Sequence, residues 1–474
     1  MLVEPRSRMI RMKSPWSALC VLPAVFCLVQ RADLDNRGAA KSVPDFATAG
    51  ILESQSSVRS SQVLPPLQSP PFRKDSRQSE AREGERGKDG AIHGVKDVDW
   101  PETRLAGTRR AEYRAELDRF RNEFGGKRAL PSQPFFLFGM GLRPKFLYKA
   151  GTLIQAESGA VFRQWEGAEE LILPSDYAVV LRTKTGDLVR LHEDERGFWI
   201  EDRAGGELVP GTDQPVRLPR FEEFRFPKVM RVLHQELLVN VTPTGPVPNF
   251  FVYSRPWYRD GAMMAMAFER TGNLAVIRDW ILGLREPYDR NNAGETEADN
   301  LGQGLFLVSL VSDARHPLVA SIQAEVPKFE VVQGTNRFIR GRSDFAEHPV
   351  YQTKWLKYGL RALHLPDQFA IPQVADGYSA LFWMDYRDAY VSGRDADDRA
   401  NYPYLGWACD HFHGRRRSPI SNRDYPLTWE AEASQARYQG MALVSEEFVK
   451  QKLAAPHTWH AAEVFLYLLE VKRN

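Results

Sequence analysis

The chain has 474 residues and a formal net charge of +2, from 63 basic and 61 acidic side chains. Hydrophobic residues make up 43% and charged residues 26%, the balance of a globular protein with one large core or a few smaller ones. The near-neutral charge gives no electrostatic ground for a nucleic-acid partner, and the three cysteines, Cys20, Cys27 and Cys409, form neither a disulfide framework nor a metal-type spacing with histidine.

At the N-terminus, Arg6, Arg8, Arg11 and Lys13 precede an apolar run from Ala18 to Val29. A basic n-region before a short h-region reads as a secretory signal or an uncleaved anchor over residues 1–32. The run is short for a transmembrane helix, so membrane contact is expected only through this segment, with the chain secreted or periplasmic. Residues 33–100 are rich in Ser, Gln, Arg, Glu, Gly and Pro and lack apolar periodicity, which predicts a disordered linker. A helical lead-in follows over 101–133, its charges at helical spacing around Ala111-Glu112-Tyr113-Arg114, read as an exposed helix.

Residues 134–219 change character. Phe146-Leu147-Tyr148, Thr152-Leu153-Ile154, Tyr177 to Leu181 and Gly197 to Ile200 are β-rich, and turn signals such as Thr185-Gly186-Asp187 and Ala204-Gly205-Gly206 separate them. This predicts a small antiparallel β module. From 220 to 474 the pattern predicts helices starting near 222, 258, 273, 299, 316, 351, 376, 402, 428, 445 and 458, with a short one near 364–372. Helices joined by short loops pack as antiparallel neighbours, and about twelve of them close into six hairpins. The expected fold is therefore mainly α, an (α/α)6 toroid preceded by the β module.

In such a ring every second helix points the same way. The alternate starts near 260, 299, 351, 376, 429 and 458 carry acids and aromatics: Trp257, Arg259 and Asp260; Glu295, Glu297 and Asp299; Asp344, Glu347, His348 and Tyr351; Asp376 and Tyr378; Trp429, Glu430 and Glu432; His457, Thr458 and Trp459. A sugar ring asks for this equipment: flat apolar surfaces for its C–H face and charged hydrogen-bonding groups for its hydroxyls. Each acid also suits the first turn of a helix, where it complements the dipole, and Asp260 reads equally as a cap.

Trp257-Tyr258-Arg259-Asp260-Gly261 resembles the Trp-x-Arg-Asp element of glucoamylase-like, six-hairpin glycosidases. Glu297 to Gln303 is similar to the opening of their second inner helix, and Pro456 to Leu466 to their closing inner helix. The resemblance covers about residues 220–474 and rests on short motifs. It implies that Arg259 and Asp260 bind sugar hydroxyls in the subsite where cleavage occurs. The catalytic pair does not carry over, because Asp344 and Glu347 stand where that class has a Glu-Glu pair.

The expected function is glycoside hydrolysis by carboxylate general acid/base chemistry, inverting by analogy. Glu347 is the first candidate acid, Glu297 the second, and Glu430 the candidate base. Trp257, Arg259, Asp260, Asp376, Tyr378, Trp429 and Trp459 are the candidate substrate-binding residues. The alternatives are a polysaccharide lyase using Tyr351, Tyr378, His348 and His457, and a glycan-binding protein without turnover. No cofactor and no metal is expected: the chain has no glycine-rich phosphate loop and no nucleophile elbow, and His411-Phe412-His413 lacks a third ligand.

Overall fold

A computed structural model describes residues 101–124, 135–290, 294–343, 346–374, 376, 440–444, 446 and 458–470. Among them are eight α-helices and 15 strands in five antiparallel sheets. The architecture is thus mixed α and β, and the mainly-α toroid expected from the sequence is corrected. Its proposed starts near 402 and 428, and the helix of the 376 station, fall on residues outside those described, as do the signal or anchor segment and the linker. Within the helical half, short β-hairpins stand between helices: β10 (Val241–Thr242) with β11 (Gly245–Pro246), β12 (Glu330–Gln333) with β13 (Asn336–Ile339), and β14 (Arg342–Ser343) with β15 (Ala346–Glu347). The β12–β13 turn carries Gly334 at φ 63, a left-handed conformation that glycine adopts without strain.

The β half is built from two meanders. Strands β1 (Phe136–Phe138), β2 (Phe146–Lys149), β3 (Thr152–Gln155) and β4 (Val161–Gln164) make one sheet. Strands β5 (Gly167–Leu173), β6 (Ala178–Thr183), β7 (Leu188–Glu193), β8 (Phe198–Asp202) and β9 (Gly205–Leu208) make the other. Phe138 of the first sheet stacks on Phe198 of the second with centroids 4.2 Å apart. In β7 the period-two alternation buries Val189, Leu191 and Glu193, so an acid occupies a core-facing position and must find partners there. It finds Arg143 at 2.9 Å and the backbone N–H groups of Gly139 and Met140 at 2.9 and 2.6 Å.

Helix α1 (Pro101–Phe124) exposes most of its charged side chains, as the sequence suggests, but is anchored along one face. It buries Ala106, Tyr113, Glu116 and Phe120, and Phe120 meets Phe226 edge-on at 5.4 Å. The remaining helices are α2 (Pro227–Val239), α3 (Tyr258–Thr271), α4 (Ala275–Gly283), α5 (Asp299–Ser309), α6 (Pro317–Glu325), α7 (Pro349–Ala362) and α8 (Thr458–Glu470). Helix α8 packs between α2 and α3, and α5 lies against both α3 and α7. Glycines set the closest approaches. A Cβ at Gly302 in α5 would overlap the Trp355 carbonyl of α7, and one at Gly359 in α7 would lie 2.5 Å from the Gly302 oxygen. Gly261 in α3 likewise leaves the slot that the Trp280 indole fills, a Cβ there falling 2.5 Å from the ring. The glycine of the Trp-Tyr-Arg-Asp-Gly stretch therefore has a packing role.

Candidate functional site: a buried arginine where four helices begin

Four helices obtain N-terminal caps from other elements. Their orphan backbone N–H groups require acceptors, yet Phe226, Trp257 and His348, which precede α2, α3 and α7, supply no side-chain cap. Glu116 of α1 accepts from Lys228 and Val229 at 2.6 and 3.0 Å. Asp289 accepts from Tyr258 at 2.6 Å. Asp376 accepts from Val350 and Tyr351 at 2.9 and 3.0 Å, and its other oxygen meets His348 Nδ1 at 2.9 Å. Asp260 accepts from the Trp459 backbone at 3.0 Å and from Thr458 Oγ1 at 2.8 Å. Asp260 is thus a cap, as one sequence reading held, but of a helix almost two hundred residues away (|i−j| = 199) rather than of its own.

The Asp260 cap of α8, together with a network of side chains around Arg259, joins the N-terminal ends of α3, α5, α7 and α8. Arg259, in the first turn of α3, is 4% exposed and Asp299, at the start of α5, is fully buried. Arg259 donates to Asp299 from Nε at 3.1 Å and reaches Glu297 Oε2 from Nη2 at 3.4 Å. The Trp459 ring lies 5.5 Å from its guanidinium carbon, a cation–π distance. Asp299 is the hub, because it also accepts from Gln303 Nε2 at 2.8 Å and Ser343 Oγ at 2.5 Å. Gln303 passes the network to Tyr351 OH at 3.4 Å, and Gln352 donates to Ser343 at 2.9 Å. The positive ends of the helix dipoles favour this concentration of carboxylates.

Several expected residues meet here, and others do not. Arg259, Asp260, Glu297 and Trp459 belong to the network, while Asp376 is the cap of α7. Trp257 is half-buried beside Tyr253, ring to ring at 5.2 Å, and packs with Phe251 and Val252. Glu347, the first candidate acid, is exposed in the β14–β15 hairpin and pairs with Arg340 at 2.6 Å. The helix expected at this station begins at Pro349, and the hairpin before it turns Glu347 to solvent. Tyr378, Trp429 and Glu430 lie outside the described residues. Asp299 was read only as one of the acids at its helix start, and Gln303 and Ser343 were not singled out as site residues, although Asp299 and Gln303 stand in the segment that carried the second resemblance. A first-turn acid followed four residues later by Gln was the available signal.

Burial shapes the chemistry around the network. Burial, with Asp289 and Glu286 adding to it, pushes the Tyr258 phenol well up, so it stays a neutral donor, here to the Glu286 carbonyl at 2.5 Å. Among the described residues, no group of three or more His, Cys, Asp or Glu is arranged to hold a metal ion. No described helix is long and apolar enough to cross a membrane. Comparisons with protein-family models, with curated proteins and with solved structures give no match.

Proposed function

We propose that this chain is a carbohydrate-active protein, a glycoside hydrolase acting on an oligo- or polysaccharide, with the Arg259 cluster at its sugar-engaging centre. The observation that carries the reading is Arg259 held between Asp299 and Glu297 against the face of Trp459. A buried ion pair adds little to stability compared with apolar residues of the same volume. A guanidinium, two carboxylates and a tryptophan at one meeting point are groups that grip vicinal hydroxyls and cover a sugar face. In this proposal Arg259 and Asp299 bind hydroxyls and Trp257, half-buried just before α3, is the platform. Glu297, paired with a permanent cation, is suited to take a proton from the attacking water rather than to donate one. The reaction also requires a proton donor, and Glu430, outside the described residues, is the remaining candidate carboxyl.

The same pairing favours a second reading, a glycan-binding protein without turnover, because engaged charges can serve recognition alone. One experiment separates them. Reducing-sugar release from a panel of neutral and acidic oligosaccharides is measured for the wild type and for Glu297→Gln. Loss of at least a hundredfold in turnover, with binding and melting temperature kept, is the expected result and is in the usual range for a general base. Binding without release by the wild type supports the second reading, and unchanged turnover by Glu297→Gln removes Glu297 from the mechanism.

A further inference from the structure

Described residues of the segment between α4 and α5 line a surface groove of about 620 Å³. Arg285, Tyr288, Arg290, Glu325, Lys328 and Phe329 shape it, with Glu286 and Thr296 at its sides. Thr296, on the groove wall, is adjacent in sequence to Glu297 of the candidate site. The wall is also tied to both helices of that site. Asp289 caps α3, the Glu286 carbonyl accepts from Tyr258 OH, and the Asp289 N–H donates to Asn300 of α5 at 3.2 Å.

The charges in the groove are not balanced. Glu325 is engaged by Lys328 at 2.6 and 2.8 Å and by Tyr288 OH at 2.8 Å. Of the remaining charged lining residues, Arg285 and Arg290 outnumber the single acid Glu286, and neither arginine forms an ion pair among the described residues. Arg285 is held in place, since Nη1 donates to the Leu282 and Leu284 carbonyls at 2.8 and 2.7 Å. Arg290 has φ 56, a left-handed conformation that is unfavourable for a non-glycine residue. Strain of this kind persists where the surroundings impose it, and here both the N–H and the carboxylate of the preceding Asp289 are fixed. In the same groove the rings of Tyr288 and Phe329 meet edge-on at 6.3 Å.

We propose that this groove is a subsite for a uronate residue of the glycan that the Arg259 cluster engages. The inference rests on the function proposed above and deepens it, because it names an acidic polysaccharide as the substrate class. A forked guanidinium matches a carboxylate in two parallel hydrogen bonds, and the ring edges give the sugar's apolar face a surface.

Calorimetric titration of the full chain with an oligogalacturonate hexamer and with maltohexaose tests it, in the wild type and in the double variant Arg285→Ala/Arg290→Ala. Both arginines are exposed, so the variant is expected to keep the wild-type melting temperature. The expected result is that the double variant binds the uronide about tenfold more weakly or worse, as for lost charge-assisted hydrogen bonds, with maltohexaose affinity unchanged. Equal uronide affinity in the two proteins overturns the subsite. So does tighter binding of inorganic phosphate than of the uronide. Binding of maltohexaose alone overturns the subsite and leaves the glycan reading intact. Binding of neither hexamer overturns both.

Discussion

Two buried arginines in this chain do different work. Arg143 in the β half is fully enclosed with Glu193, and its other donors go to backbone carbonyls: Gln214 at 2.7 Å, Asp194 at 2.9 Å and Glu195 at 3.0 Å. Lys145 beside it donates to the Gly139 and Gly141 carbonyls. This is a knot that closes a loop onto a sheet. Arg259 in the helical half meets side chains instead: Asp299 and Glu297 at the start of α5, and Trp459 of α8. Backbone partners move only if the fold moves, whereas side-chain partners can exchange a contact for a ligand's hydroxyl. Burial and charge alone therefore do not mark a site. The kind of partner does.

The sharpest way to break the comparison is at the knot. Glu193→Gln leaves Arg143 buried without its counter-charge, and the expected loss is about 3–5 kcal/mol in urea unfolding. The matching change at the site, Glu297→Gln, is expected to cost far less stability, because Asp299 still neutralises Arg259. Equal losses at the two positions would erase the distinction drawn between them.

Next in size is the helix crossing that holds the network. Gly302→Ala places a methyl group on the Trp355 backbone, and the expected destabilisation is about 3 kcal/mol, the upper part of the range for overpacking. Since Gln303 follows directly, a shifted α5 should also weaken any ligand of the Arg259 cluster. Thermal unfolding and titration on the same sample check both effects.

A pH titration sharpens the contrast further. Burial pushes the His234 imidazole down from 6.5 to about 3, with Arg231 adding to the effect. The unfolded chain thus takes up a proton below about pH 6.5 that the folded chain refuses until about pH 3. Stability is full above this window and falls as pH drops through it, by about 1.4 kcal/mol for each pH unit. His234→Gln should flatten that part of the stability profile, and an unchanged slope would show that other groups cause it. Smallest is the capping effect. Asp260→Ala removes the acceptor of the Trp459 N–H and is expected to cost about 1 kcal/mol, read by urea unfolding.

Much of the local structure was legible in the sequence, because alternation and turn glycines mark strands such as Thr152–Gln155 and Phe198–Asp202, and helix starts at Tyr258, Asp299 and Thr458 lie within two residues of those expected. The architecture was not. Hairpins of two to four residues per strand, such as Arg342–Ser343 with Ala346–Glu347, are too short to show a period of two, and overlooking them made the second half read as helices alone. Glu347 was misplaced for that reason. Asp260 was read as a local cap or a substrate ligand, since a sequence window cannot reveal an acceptor aimed at a helix start far along the chain. The pairing of Arg259 with Asp299 spans forty positions (|i−j| = 40) and became visible only when α3 and α5 were packed together.

The central claim is that Arg259 grips a sugar. Its most direct test is calorimetric titration of an oligosaccharide that binds the wild-type chain into Arg259→Lys, which keeps the charge and loses the fork that meets Asp299 and Glu297. The account predicts a loss of affinity of about tenfold or more at an unchanged melting temperature. Equal affinity in a folded Arg259→Lys variant would contradict it and leave the cluster a structural junction of four helix ends.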